Sequence, residues 1–219
     1  MIMMARSVEP VSDDWVPKTS LGRMVKDGKF TSIYDIFQEN FVIKEPEVIR
    51  ALVPNLEYEV LEIRFVQKMT ESGRRSKYRA LVAVGNRNGL IGVGVGKARQ
   101  VFPSIQKALN KALLNIAPVR RGCGSWECGC GSPHSITVSS EGTCGSVKVI
   151  LKPGPRGLGI VAGDTARIVL ELAGIEDIWA IAYGETRTPV SFAVATYDAL
   201  RNTYKIITKD MWNKEGYER

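Results

Sequence analysis

Three thiols and the chain's only imidazole fall within twelve residues: Cys123, Cys128, Cys130 and His134, spaced C-x4-C-x-C-x3-H in a loop rich in glycine. Zinc takes thiolates and neutral imidazole in a tetrahedral array, and four such groups this close can surround one structural zinc ion. The spacing is not that of a common zinc finger. Cys128 and Cys130 would also need a tight bend at Gly129 to share an ion. The competing reading leaves the thiols reduced and unligated, with the loop ordered by bound RNA. A cysteine nucleophile paired with His134 is a third reading, but the sequence shows no group to orient the imidazole. Cys144 stands apart and reads as a small core residue.

Two glycine runs invite a phosphate-loop reading. Gly92, Gly94, Gly96 and Lys97 fail the Walker pattern, because Ile91 and Ala98 stand where Gly and Ser or Thr are needed. They alternate within one strand and so strip one strand face of side chains. Packing of a helix from the same domain against that face is the favoured expectation, with direct approach of RNA as the other. The second run, Pro155-Arg156-Gly157-Leu158-Gly159, resembles the nucleotide loop of galactokinase-type small-molecule kinases. There, however, serines follow, and here Ile160 and Val161 do. A glycine-loop phosphotransferase is therefore the alternative, and no enzyme is the expectation.

Charge points to a polyanion. Residues 58–122 carry a net +10, whereas residues 1–57 carry −2 and residues 123–219 carry −1. Concentrated basic charge of this kind is an electrostatic footprint for nucleic acid. The sharpest cluster is Arg74, Arg75, Lys77 and Arg79, read as cations at a hairpin tip. Arg87, Lys97, Arg99, Lys107, Lys111, Arg120 and Arg121 extend the RNA-binding set. Arginine forks suit phosphate oxygens, and lysines supply mobile point charges. Few aromatic residues lie in the basic segment, so base stacking is not expected as the main mode. No run of 18 apolar residues predicts a membrane span, and no secretory leader is apparent at the Met-rich start.

The elements that must position these groups follow from periodicity. Residues 58–69 alternate as a strand with Leu61, Ile63, Phe65 and Met69 on one face, then Glu71–Arg75 turns. Tyr78–Val84 and Leu90–Val95 are two more strands, joined by a tight Asn86–Gly89 turn. A helix opens at Pro103 with Ile105, Ala108, Leu109, Ala112, Leu113 and Ile116 as its stripe. After the irregular 117–134 segment come strands at Ser135–Ser139, Ser146–Lys152 and Asp177–Tyr183. Two helices complete the second half, one N-capped by Asp164 and stopped by Gly174, the other opened by Thr188-Pro189. Residues 1–57 read as a proline-punctuated extension with little core and short helices at 32–40 and 47–53.

ALVAVGNRNGLIGVGVGKARQV (80–101) and GSVKVILKPGPRGLGIVAGDTARIVLELAGIEDIWA (145–180), with the closing helix TRTPVSFAVATYDALRNTYK (186–205), carry a family resemblance. The chain resembles the universal small-subunit ribosomal protein S-five family in its archaeal form. The resemblance implies an α+β fold of two domains. One is a double-stranded-RNA-binding-like domain at 46–116, with a three-stranded antiparallel sheet and helices. The other is a C-terminal sheet covered by two helices at 135–206. Residues 1–45 would be an extension, 117–134 a basic Gly/Cys-rich linker and 207–219 a tail. It also implies a cytoplasmic protein of the small ribosomal subunit that binds small-subunit rRNA beside the mRNA path and influences translation accuracy. Ribosomal proteins S-four and S-eight would be its neighbours.

Overall fold

The computed structural model describes residues 6–8 and 15–206. The Met-rich start and the 207–219 tail lie outside the described residues. The first half comprises strand β1 (Arg6–Ser7), helices α1 (Ser20–Lys26), α2 (Ile33–Gln38) and α3 (Pro46–Leu52), and strands β2 (Glu57–Thr70), β3 (Gly73–Gly85) and β4 (Leu90–Ala98). Helix α4 (Val101–Leu114) and strand β5 (Ala117–Pro118) end it. The second half comprises β6 (Arg121–Gly122), β7 (Ser135–Ile136), β8 (Ser140–Cys144), β9 (Val147–Pro153), β10 (Ile160–Val161), α5 (Asp164–Ala173), β11 (Ile178–Tyr183) and α6 (Pro189–Tyr204).

The expected α+β architecture is present, with a larger first sheet than three strands. Strands β1 to β5 form one antiparallel sheet in sequence order. The second sheet has the order β10-β11-β9-β8, with β10 parallel to β11 and the other pairs antiparallel. Helix α4 covers one face of the first sheet. Its approach is possible because Gly92, Gly94 and Gly96 leave that face bare. A Cβ on Gly94 would strike the Ala108 carbonyl oxygen and the Ala112 nitrogen. Helix packing, not RNA, therefore occupies the glycine strip.

Helices α5 and α6 lie between the two sheets. Leu81, Ala83, Ile91 and Val93 of the first sheet join one buried cluster with Val149 and Leu151 of the second and with Val169, Leu170 and Ala195 of the helices. The layers therefore run α4, first sheet, α5 with α6, second sheet. Residues 1–57 hold more structure than expected. Leu21, Ile36 and Val48 form a small buried cluster, and Ile33 and Ile49 enter the α4 core. Glu45 Oε1 accepts from the Lys18 and Thr19 amides and ties α1 to α3.

Several local expectations are corrected. Helix α4 begins at Val101, two residues before Pro103. Gly163, not Asp164, is the N-cap of α5, while Gly174 does end it in the left-handed region at φ 80°. Strand β8 was not expected at all. A bulge between Val60 and Glu62 turns Leu61 toward the α5–α6 layer, while Ile63 keeps to the α4 side.

Candidate nucleic-acid interface and metal centre

Strands β2 and β3 outrun β4. Pairing of β3 with β4 ends at Tyr78, but β2 and β3 stay paired to Thr70–Gly73. The result is a two-stranded arm. Arg74 and Arg75 thus sit within a strand and not in the turn, which shrinks to Glu71 and Ser72. Alternation then puts them on opposite faces.

Register sorts the arm's side chains. Arg64 faces Arg79, which faces Lys97; one step outward Val66 faces Lys77, and beyond that Lys68 faces Arg75. These six cations share the face that continues Leu81 and Ala83. The single carboxylate beside them, Glu62, pairs with Arg64 at 2.7 Å. The other face carries Phe65, Tyr78, Met69 and Arg74, with the two rings 5.3 Å apart. Arg64 and Lys68 were missed in the sequence because only cross-strand register reveals them.

Beside the arm, Lys77, Lys97, Arg99 and Lys107 line a cleft of about 530 Å3 at the start of α4, with no carboxylate in its lining. The Gln100 N-cap makes no side-chain hydrogen bond, so the Val101 and Phe102 amides of the first turn gain no partner from the cap. Lys111 is exposed further along the helix.

The remaining expected cations go elsewhere. Arg87 pairs with Glu57 at 2.7 Å. Arg121 donates to the Asn88 side chain and the Gly174 carbonyl, bracing the Asn86–Gly89 turn against the end of α5. Arg120 donates through its backbone to Thr203 and through its side chain to the Ile206 carbonyl. These three do not join the arm.

The linker brings the four candidate metal ligands together. The ligand atoms of Cys123, Cys128, Cys130 and His134 all lie within 4.8 Å of one another. Cys128 Sγ is 3.8 Å from His134 Nε2; a tetrahedron with bonds of about 2.0–2.3 Å has edges of this order. Gly124 packs under Thr137, and Cys123 Sγ lies 2.9 Å from the Cys128 carbonyl, which folds the loop on itself. Hydrogen bonds from the Ser132 hydroxyl and amide hold the Cys130 thiol down to about 6, whereas partial burial among the other thiols pushes Cys123 up.

Nothing in the spacing of the linker residues points to what orients His134. Asp177, 43 residues on, does: its Oδ2 accepts from His134 Nδ1 at 2.8 Å, and both side chains are buried. Nε2 is thereby aimed at the sulfurs, the carboxylate–imidazole arrangement that metal-ligating histidines use. Asp177 Oδ1 accepts from the Gly159 amide at 2.8 Å, and the His134 carbonyl accepts from the Glu176 and Asp177 amides. An oriented imidazole would also serve a cysteine nucleophile. Three thiols converging on one point have the geometry of a ligand cage.

The same bonds count against the phosphate-loop reading. In the 153–159 loop the Gly154 amide is taken by Ser135 Oγ, Leu158 by the Pro155 carbonyl and Gly159 by Asp177. Those three amides are committed within the fold and are not free to cradle a nucleotide.

Comparison with known proteins agrees with the fold. Residues 56–120 match the family model for "Ribosomal protein S5, N-terminal domain", and residues 142–215 match "Ribosomal protein S5, C-terminal domain". The chain belongs to the ribosomal protein S5 family. Similar relatives are the small ribosomal subunit protein uS5 of Ignicoccus hospitalis, 56% identical over 92% of this chain and 95% of the relative, and that of Staphylothermus marinus, 54% identical over 92% and 94%. The uS5 protein of Hyperthermus butylicus is 51% identical over 95% of this chain and 99% of its own. This family membership extends to the archaeal branch, as the sequence resemblance implied. Among the described residues no helix is long and apolar enough to cross a membrane.

Proposed function

We propose that the protein is a structural, non-enzymatic component of the cytoplasmic small ribosomal subunit and holds small-subunit rRNA on the basic face of the β2–β3 arm. The observation that carries this is the grid of Arg64, Lys68, Arg75, Lys77, Arg79 and Lys97 on one sheet face. Strand spacing sets these cations about 5 Å apart across strands and about 7 Å apart along them. Such a grid follows phosphates without reading bases, which suits A-form RNA, whose base edges are hidden. The cleft at the start of α4 continues the same phosphate track.

Within the subunit we place the arm beside the mRNA path, where its hold on rRNA would influence accuracy. The working division keeps the domains at 46–116 and 135–206. Ribosomal proteins S-four and S-eight remain the proposed neighbours. A protein neighbour is supported by the outer face of the second sheet, where Val161, Trp179, Ile181 and Tyr183 are all exposed. The four linker ligands hold one structural zinc ion, supported by their convergence and by Asp177 behind His134.

Salt dependence tests the arm. Arg75→Ala, Lys77→Ala and Arg79→Ala combined should flatten the log–log dependence of RNA affinity on salt, each lost phosphate contact by about 0.9 for a duplex. Arg74→Ala, on the opposite face, should change the slope little. Equal slopes for the triple variant and the parent, with folding intact, would refute the arm assignment. For the metal, elemental analysis of protein purified without chelator should give one zinc per chain, lost in Cys128→Ser.

A further inference from the structure

Aromatic side chains are scarce in the basic segment, yet the fold assembles them elsewhere. Helix α2 presents Tyr34 and Phe37, three residues apart and so on one side. Helix α6 presents Tyr197, Arg201 and Tyr204 at spacings of four and three, again one side. The two helices face each other across the end of α4, β5 and the Asn86–Gly89 turn. Tyr204 stands between two adjoining clefts of about 270 and 450 Å3. The first is walled by Tyr34, Asn88 and Arg120. The second is walled by Phe37, Asn40, Tyr197 and Lys205.

No carboxylate lines either cleft, while four cations do: Arg120, Arg121, Arg201 and Lys205. Arg120 is spent on the Ile206 carbonyl and Arg121 on bracing the turn, but Arg201 and Lys205 make no ion pair among the described residues. Partial burial pushes the Tyr34 and Tyr197 hydroxyls up, so both rings stay neutral. Tyr197 Oη donates to the Asn115 carbonyl at 2.6 Å, which fixes that ring.

We infer that this aromatic and basic groove between α2 and the end of α6 binds a single-stranded RNA segment, its unstacked bases seated against Tyr34 and Tyr204. The chemistry differs from that of the arm. Flat neutral rings interleaved with cations, and amides such as Asn88 and Asn40 at the ends, suit exposed bases with phosphates alongside. A duplex buries those base faces and offers only its backbone. One cleft lies just below and the other within the lower part of the roughly 300–1,000 Å3 of small-molecule sites, a size for one base with its sugar. The inference rests on the protein being an RNA binder, and it adds a second surface with a different RNA form.

The test uses the full chain with two probes: a 15-nucleotide RNA designed without self-complementarity, and a duplex RNA of equal length. Tyr34→Ala and Tyr204→Ala should each weaken single-strand binding by about 5- to 150-fold, the effect of losing one stacked base. Tyr204→Phe, which keeps the ring, should restore it, and duplex binding should hold in all three. Tyr34 is on a short surface helix, so its variant reports on the groove even where Tyr204→Ala disturbs folding. Unchanged single-strand affinity in both alanine variants would overturn the inference, whether the groove is covered by residues 207–219 or by another protein. Parallel loss of duplex binding in the folded Tyr34→Ala variant would overturn it too. Loss confined to the Arg75, Lys77 and Arg79 variant would leave the arm standing and sink only the groove.

Discussion

Replacing Asp177 with Ala should unmake the metal centre without touching a ligand. Its carboxylate holds two buried donors, the His134 ring N–H and the Gly159 amide, each at 2.8 Å. An unpaired buried donor costs about 1–3 kcal/mol, so folding should lose roughly 2–6 kcal/mol with or without metal. Loss of an orienting partner typically weakens metal affinity by about 10- to 100-fold. At free zinc 100 times the parent dissociation constant, binding stabilises the fold by about 2.7 kcal/mol; a 100-fold weaker site leaves about 0.4 kcal/mol at the same concentration. For a chain of this size 1 kcal/mol moves Tm by about 2–4 °C, so the zinc-dependent rise should shrink from about 5–11 °C to about 1–2 °C. Competition against a chromophoric chelator gives the affinity, and melting with and without zinc gives the shift. Asp177→Asn should fall between, since one amide oxygen can accept from only one of the donors without rearrangement. Parent-like zinc affinity in Asp177→Ala would refute the role of the carboxylate, and a parent that binds no zinc would refute the centre itself.

Two further outcomes follow from packing. Gly94→Ala sets a methyl against the backbone of α4 at Ala108 and Ala112, which cannot yield as a side chain would; it should cost about 3 kcal/mol, read by denaturant unfolding, and a cost below about 1 kcal/mol would mean that the helix does not seat on the glycines. Trp179→Asp with Tyr183→Asp, both on the exposed outer face of the second sheet, should leave Tm and RNA affinity near those of the parent but reduce incorporation into small subunits; full incorporation would remove that face as a protein-docking surface.

Legibility in the sequence tracked the range of the interactions. The glycine strip announced helix packing because alternation is local, and Gly174 announced the end of α5 for the same reason. The segment 140–144, SEGTC, has no apolar alternation, and it is a strand because β9 and α6 hold it. Four cations around 74–79 were visible, but their division between two faces was not, because that division depends on where β2 pairs and on the bulge near Leu61. The four candidate metal ligands were legible as a spacing. Asp177 was not, since 43 residues of chain separate it from His134. The aromatic groove is the extreme case, drawing on helices more than 150 residues apart.

The shared core decides how these surfaces act together. Leu81, Ile91 and Val93 lie in the first sheet, yet they are buried against α5 and α6 of the second half. Full burial of such side chains stabilises by about 1.5–3 kcal/mol each, so these three contribute at most roughly 5–9 kcal/mol between the halves, less the part their own sheet covers. Even a fraction of that is sizeable against the total stability of a typical domain, about 5–15 kcal/mol, so the halves resist separation. The linker adds to this, because β6 pairs with β7 and the His134 carbonyl caps the strand entering β11. The two halves are therefore built on one core. The groove and the exposed outer sheet rest on that core, while the cationic arm extends from it past the end of β4.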